Sequence, residues 1–222
     1  SLRASDTLMI FNPFVAGDHA YEFIYVPHSE LHQTITRKIT INKPGEKPQV
    51  ITQTATFKRT GKINEVNGTP IYTPWVLDQN GLTTVSAPEV AGYTPSQKTV
   101  EGIDNPEVDT KLNDVVINYT ANAQTQVINY VDENGKTVKT DKVNGQTGET
   151  VKIPVSVPDH YVLAPGQNIP TDVKLTDSNP AITVKVTPKM NPITDPTKLT
   201  KTISRKITIN KPGEKPQVIT QT

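Results

Sequence analysis

The sequence predicts an all-β protein assembled from small tandem domains, and three observations carry that prediction. Its 222 residues include 32 threonines, whose branched Cβ suits a pleated strand while the hydroxyl tolerates water on the exposed face. Nineteen prolines and 12 glycines cut the chain into short segments, and no stretch sustains a helical period. Arg37–Thr54, RKITINKPGEKPQVITQT, recurs unchanged at Arg205–Thr222. The resulting period of 168 residues exceeds the roughly 20–50 of a solenoid unit, so each unit is expected to hold one or two whole domains in an elongated string.

Taken in chain order, residues 1–33 read as the C-terminal tail of a preceding module. YEFIYVPH (Tyr21–His28) lies over ITVKVTPK (Ile182–Lys189), with alternating large residues and a shared proline, as two closing strands would. A first β domain spans residues 34–121. It is expected to contain strand Arg37–Ile41, a KPGEKP turn, a long strand Gln49–Arg59, a turn at Asn67–Pro70, strand Ile71–Leu77, loops, and strand Asp114–Thr120. A second domain spans 122–189. There Val127, Asn129 and Val131 alternate with Ile128 and Tyr130, Asp132-Glu133-Asn134-Gly135 supplies a turn, and Lys136–Val143 returns as a hairpin. Gly148–Val157 and Ala181–Thr187 complete it. In the linker 190–201, Pro192 and Pro196 deny a helix and favour an extended spacer. Residues 202–222 are the opening strands of the next repeat. Domains of roughly 70–90 residues sit near the lower limit for an unaided core.

Charge and composition exclude several functions. Lys and Arg number 23 against 22 Asp and Glu, interspersed without a basic block, so nucleic acid has no electrostatic footprint. The absence of cysteine removes disulfides, thiolate metal sites and a cysteine nucleophile. Apolar runs such as Met9-Ile10-Phe11 and Val115-Val116-Ile117 fall far short of the roughly 20 residues of a spanning helix, so no membrane insertion is expected. Repetition itself favours adhesion, because many weak sites on one stalk multiply avidity.

The succession ITRKITI, VITQTATFKRTG (Val50–Gly61), YTPW (Tyr72–Trp75), PEVAGYTP (Pro88–Pro95) and VVINYT (Val115–Thr120) resembles one domain of the mucus-binding (Mub) repeats of lactobacillus surface adhesins. QVINYVDENGKTVKTDKVNGQTGETV (Gln126–Val151) resembles the opening of their MucBP domain. One departure is the KPGEKP turn, which stands where the family more often has a Y-x-D-G type. The resemblance implies β-grasp-like (ubiquitin-like) domains and a cell-wall-anchored, extracellular protein of a Gram-positive bacterium. It further implies a non-enzymatic role in binding mucin glycoproteins through their glycans, with immunoglobulin as a second partner of some relatives. A purely structural spacer, and immunoglobulin capture by strand addition at a sheet edge, are the alternatives.

No acid, base and nucleophile converge on any motif, so no catalytic residue and no cofactor are assigned. His28 and His32 stand at i and i+4, yet Pro27 and the linker setting argue against a helix and no third ligand accompanies them, so no metal site is expected. Asp18-His19 and Asp159-His160 read as turn residues, and Asp132–Gly135 lacks the spaced acids of a calcium loop. A lysine–asparagine isopeptide staple has no identifiable catalytic acid. Trp75, Tyr93 and Tyr161 are the candidates for stacking against a sugar's CH face. The strand and turn settings of Trp75 and Tyr93 suit core plugs better.

Overall fold

A computed structural model describes residues 6–11 and 21–222; the Asp18-His19 pair lies outside them. The chain divides into two compact units. One comprises residues 1–126, 143–152 and 172–180, and the other 127–142, 153–171 and 181–222.

The first unit opens with an antiparallel hairpin of β1 (Asp6–Phe11) and β2 (Tyr21–Val26). A single helical turn, α1 (His28–Leu31), follows, with Pro27 at its N-cap. The sequence argued against a helix here. One turn needs no apolar period, and a proline at a helix start gives up only an N–H that has no intrahelical acceptor. In β3 (His32–Asn42), Arg37, Ile39 and Ile41 alternate inward. The KPGEKP turn closes through Glu46 N donating to Lys43 O at 3.3 Å, with Gly45 at φ 72°. Lys43 Nζ meets Glu46 Oε2 at 2.8 Å, and this hydrogen bond and charge hold the ammonium pKa above its ordinary value. β4 (Gln49–Lys58) returns with Gln53, Ala55 and Phe57 inside.

β5 (Gly61–Ile63) and β6 (Pro70–Tyr72) form a small hairpin, and β7 (Val76–Asn80) begins after a break. The single strand expected over 71–77 is therefore two. Pro74 has no N–H for a ladder, and Thr73 N is committed to Thr60 O at 2.8 Å. β8 (Val85–Ser86), β9 (Tyr93–Pro95), β10 (Thr99–Val100) and β11 (Val115–Ala121) complete this part. The main sheet runs β7-β4-β3-β11-β9, with β3 and β11 parallel, Val115 opposite Ile39 and Asn118 opposite Asn42. Lys38 N donates to Asp114 Oδ1, and Asn42 Nδ2 to Asn118 Oδ1, each at 2.8 Å, so side chains tie the pair at both ends. One buried cluster joins Ile39, Ile41, Val100 and Ile117, and another joins Ala55, Phe57 and Leu82.

Next come β12 (Ala123–Val131), β13 (Thr137–Gln146), β14 (Thr150–Lys152), β15 (Tyr161–Leu163), β16 (Asp172–Lys174) and β17 (Ile182–Pro188). The strand expected over 148–157 shrinks to β14, because Pro154 cannot donate to a ladder. The Asp132 carboxylate accepts from Asn134 N and Lys136 N at 2.9 Å, and Gly135 takes φ 80°, giving the tight turn its sequence predicts. The sheet order is β13-β12-β17-β15, with Ile128–Val131 parallel to Ile182–Lys185. In the second unit Ile128, Tyr130, Val184 and Val186 are fully buried, and the Tyr130 hydroxyl accepts from Ser156 N at 2.7 Å.

The orders β4-β3-β11-β9 and β13-β12-β17-β15 are the same arrangement. A hairpin comes first, the last strand lies parallel beside the hairpin's first strand, and an antiparallel strand flanks it. This is β-grasp-like order, met twice. A 3-10 turn at Pro196–Lys198 interrupts the linker expected to be extended; Asp195 caps it, and proline is again tolerated at the helical start. β18 (Arg205–Ile209) and β19 (Gln217–Gln221) end the chain as a separate hairpin.

Candidate ligand clefts

Tyr93 follows a tight turn in which its own N donates to Val90 O at 3.0 Å, and Gly92 adopts φ 80°. The turn is fixed from outside by Thr147, whose hydroxyl donates to Gly92 O at 2.7 Å and whose N donates to Asn122 O at 3.0 Å. Gln124 Nε2 donates to the same hydroxyl at 3.0 Å. A Cβ on Gly92 would lie 2.6 Å from Thr147 Cγ2, so only glycine lets the two segments approach this closely. Tyr119 Oη donates to Pro88 O and holds the other wall of the loop.

Between these supports lies an open cleft of ≈ 780 Å³ lined by Ser86, Pro88, Glu89, Tyr93, Lys98 and Thr99, among others. Its wall combines a half-buried phenol ring, hydroxyls, a carboxylate and an ammonium. That mixture offers donors and acceptors to a hydroxyl-rich ligand and an apolar plate for its CH groups, within the usual size range of a small-molecule site.

Trp75 stands elsewhere in the same unit. It packs against the Ala55, Phe57 and Leu82 cluster and borders a cleft of ≈ 340 Å³ with Glu107 and Asp109. The Arg59 guanidinium carbon lies 4.3 Å from the Trp75 ring centroid and 4.0 Å from that of Tyr72. Arg59 Nε also donates to Glu30 O at 2.6 Å, and a guanidinium nitrogen reaches the Glu30 carboxylate at 3.2 Å. A ring covered by the protein's own cation has that face already engaged. Nothing in the sequence links Arg59 to both rings, because the three residues meet only through the fold. Tyr161, in the second unit, is half-buried at the start of β15 opposite Pro188. It follows His160, which takes φ 70° in a turn.

His28 and His32 stack with centroids 4.0 Å apart and planes 9° from parallel. Among the described residues no three His, Cys, Asp or Glu side chains gather as a metal site would require, and no helix is long and apolar enough to cross a membrane.

Residues 26–123, which include the Tyr93 and Trp75 clefts, match the Muc B2-like domain. This segment is similar to a Muc B2-like domain, and the resemblance to mucus-binding repeats holds. Among solved structures, the MucBP domain of an adhesion protein from Pediococcus pentosaceus is 27% identical, covering 40% of this chain and 99% of its own at a TM-score of 0.29. Mub-RV is 20% identical, covering 53% of this chain and 76% of its own at a TM-score of 0.28. No curated protein matches. The matched segment holds the five-stranded sheet, and Tyr93 sits on its edge strand β9.

Proposed function

We propose that this chain is a non-enzymatic adhesin repeat, displayed on the cell wall of a Gram-positive bacterium, that binds host mucin through its glycans. It comprises one domain at 34–121 and a MucBP-type domain at 122–189, flanked by parts of neighbouring repeats. The observation that carries the reading is the Tyr93 cleft on the Muc B2-like domain, where Ser86 and Thr99 hydroxyls, Glu89, Lys98 and an aromatic ring line one space of ≈ 780 Å³. Tyr93 is favoured over Trp75 because Arg59 already covers a Trp75 face. Each site is shallow, so useful retention comes from repetition.

The test is biolayer interferometry of the chain on immobilised mucin, before and after the glycans are stripped. The wild type is expected to bind intact mucin and lose it on stripping. Glu89→Ala with Lys98→Ala, both exposed, and separately Tyr93→Ala, are each expected to weaken binding about tenfold. Wild-type retention no better than an inert protein would refute adhesion and leave a spacer. Unchanged binding by both variants would move the site away from this cleft.

A further inference from the structure

The segment matched by the family ends at residue 123, yet the loop that walls the Tyr93 cleft is held by residues beyond it. Loop 88–92 is pinned at two carbonyls. Pro88 O accepts from the Tyr119 hydroxyl, and Gly92 O accepts from Asn122 N at 2.8 Å and from the Thr147 hydroxyl at 2.7 Å. Between them, the one hydrogen bond of Glu89, Val90 and Ala91 among the described residues is the local one from Tyr93 N to Val90 O. The far end of the loop therefore rests on Gly92.

Thr147 is itself set by a relay of side chains. Asn179 Nδ2 donates to Gln124 Oε1 at 3.3 Å, and Gln124 Nε2 donates to the Thr147 hydroxyl at 3.0 Å. With its acceptor side taken, that hydroxyl directs its single proton at Gly92 O. Thr147 N donates to Asn122 O at 3.0 Å. The adjoining Gly148, at φ 88°, stands against the phenol, since a Cβ there would lie 3.2 Å from Tyr93 Oη. Gly148 N donates to Leu175 O at 2.8 Å, and the fully buried Leu175 anchors the turn between β13 and β14. All of these residues belong to the first compact unit, although the sequence places those from 122 onward in the following domain.

We propose that the turn between β13 and β14 is a latch that completes the Tyr93 ligand cleft, with Thr147 as its positioning residue; the inference rests on the glycan-binding reading above. Thr147 does not line the cleft and acts through Gly92, which fixes the loop that carries Glu89 and the ring that follows it. The unit that binds glycan is thus segment 26–123 together with Gln124, Thr147 and Gly148. Such coupling is reciprocal, so a ligand that steadies the loop also steadies the bonds of Thr147.

The test uses the full chain with two replacements. Thr147→Val keeps the side-chain shape but removes the proton given to Gly92 O, whereas Thr147→Ser keeps the hydroxyl. Biolayer interferometry on immobilised mucin is expected to show about fivefold weaker binding for Thr147→Val, and binding within about twofold of wild type for Thr147→Ser. Amide hydrogen exchange read by NMR is expected to quicken at Tyr93, Asn122 and Thr147 in the valine variant and not in the serine variant. Glycans released from mucin are expected to slow exchange of the Thr147 amide in the wild type, outside the cleft they occupy. Unchanged exchange at Tyr93 and Asn122 in Thr147→Val, equal damage by serine and valine, or full mucin binding by Thr147→Val would each overturn the proposal. A wild type that fails to bind mucin refutes the glycan reading instead, and the exchange data of the two variants then decide the latch by themselves.

Discussion

Arg37 and Arg205 occupy equivalent places in identical stretches of sequence, and replacing each by alanine separates burial from local sequence in one comparison. Arg37 is 5% exposed. It donates from Nε to Gln53 Oε1 at 2.9 Å, from Nη1 to Glu101 O at 2.9 Å, and from Nη2 to Thr83 O at 3.1 Å. Removing the guanidinium leaves Thr83 O still bonded to Gln53 Nε2 at 3.0 Å and strips the other two acceptors of this donor. The Gln53 amide is buried and the bond to Glu101 O partly so; a buried acceptor left unsatisfied costs about 1–3 kcal/mol, so Arg37→Ala should lose about 3 kcal/mol with the packing of its stem included. For a domain of this size that corresponds to roughly 12–24 °C in Tm. Arg205 makes the same contact with Gln221 on an exposed hairpin, and Arg205→Ala should stay within about 0.5 kcal/mol of wild type. Arg37→Met keeps most of the apolar bulk and should lose nearly as much as alanine, because the acceptors and not the volume set the cost. The assay is urea unfolding followed by tryptophan emission. Trp75 is the sole tryptophan and lies in the first unit with Arg37, so its signal reads the Arg37 variants, while Arg205→Ala, in the second unit, is read from the amide NMR signals of its own hairpin in the same urea series. Equal midpoints for Arg37→Ala and Arg205→Ala, or a wild-type midpoint for Arg37→Met, would refute the reasoning.

Two further outcomes follow from local geometry. Gly92→Ala should cost about 2–4 kcal/mol in the same tryptophan assay, combining a left-handed backbone with the 2.6 Å approach to Thr147. Gly45→Ala, at φ 72° with open space around it, should cost only about 1–2 kcal/mol, and equal losses would mean that Thr147 yields freely. The Asp195 carboxyl accepts from the Thr197 hydroxyl and N–H, which hold its pKa below the ordinary 3.8. A depressed carboxylate favours the capped turn above its unfolded pKa, and that contribution fades as pH falls through the lowered folded value. An NMR titration should place Asp195 below 3.8 and move it upward in Thr197→Val; an unchanged midpoint in the variant would exclude the hydroxyl as the cause.

The parts of the fold legible in the sequence were those set by neighbours along the chain. Alternation from Val127 to Val131 and the Asp132–Gly135 turn define the β12–β13 hairpin with no help from distant residues. Prolines misled where their effect depends on position. Pro27 and Pro196 each start a short helical turn, while Pro74 and Pro154 end strands that the apolar pattern alone would have prolonged. The parallel pairing of β3 with β11 leaves no local trace, since Ile39 and Val115 are joined only by the return of a whole domain. The aromatic members of the clefts could be named as candidates from residue type. Arg59 meets Trp75 from before the β5–β6 hairpin and has no spacing to betray it, whereas Ser86, Glu89 and Lys98 lie in the same stretch 86–99 as Tyr93, and only the folding of that loop shows that they share one space. The buried Arg37–Gln53 pair had a readable signal, because the two residues recur together at Arg205 and Gln221, sixteen apart in both copies.

The parallel alignment of β3 with β11 governs how the domain answers tension. Because the strands run the same way, a pull that draws His32 and Ala121 in opposite directions acts along both of them. Every rung from Val115–Ile39 to Asn118–Asn42 is loaded at once, together with the Lys38–Asp114 and Asn42–Asn118 ties. Rupture by sliding must break these bonds collectively, whereas a peeled antiparallel ribbon yields them singly. A domain of this kind resists such a pull through its hydrogen-bond geometry, without a disulfide, since the sequence has no cysteine.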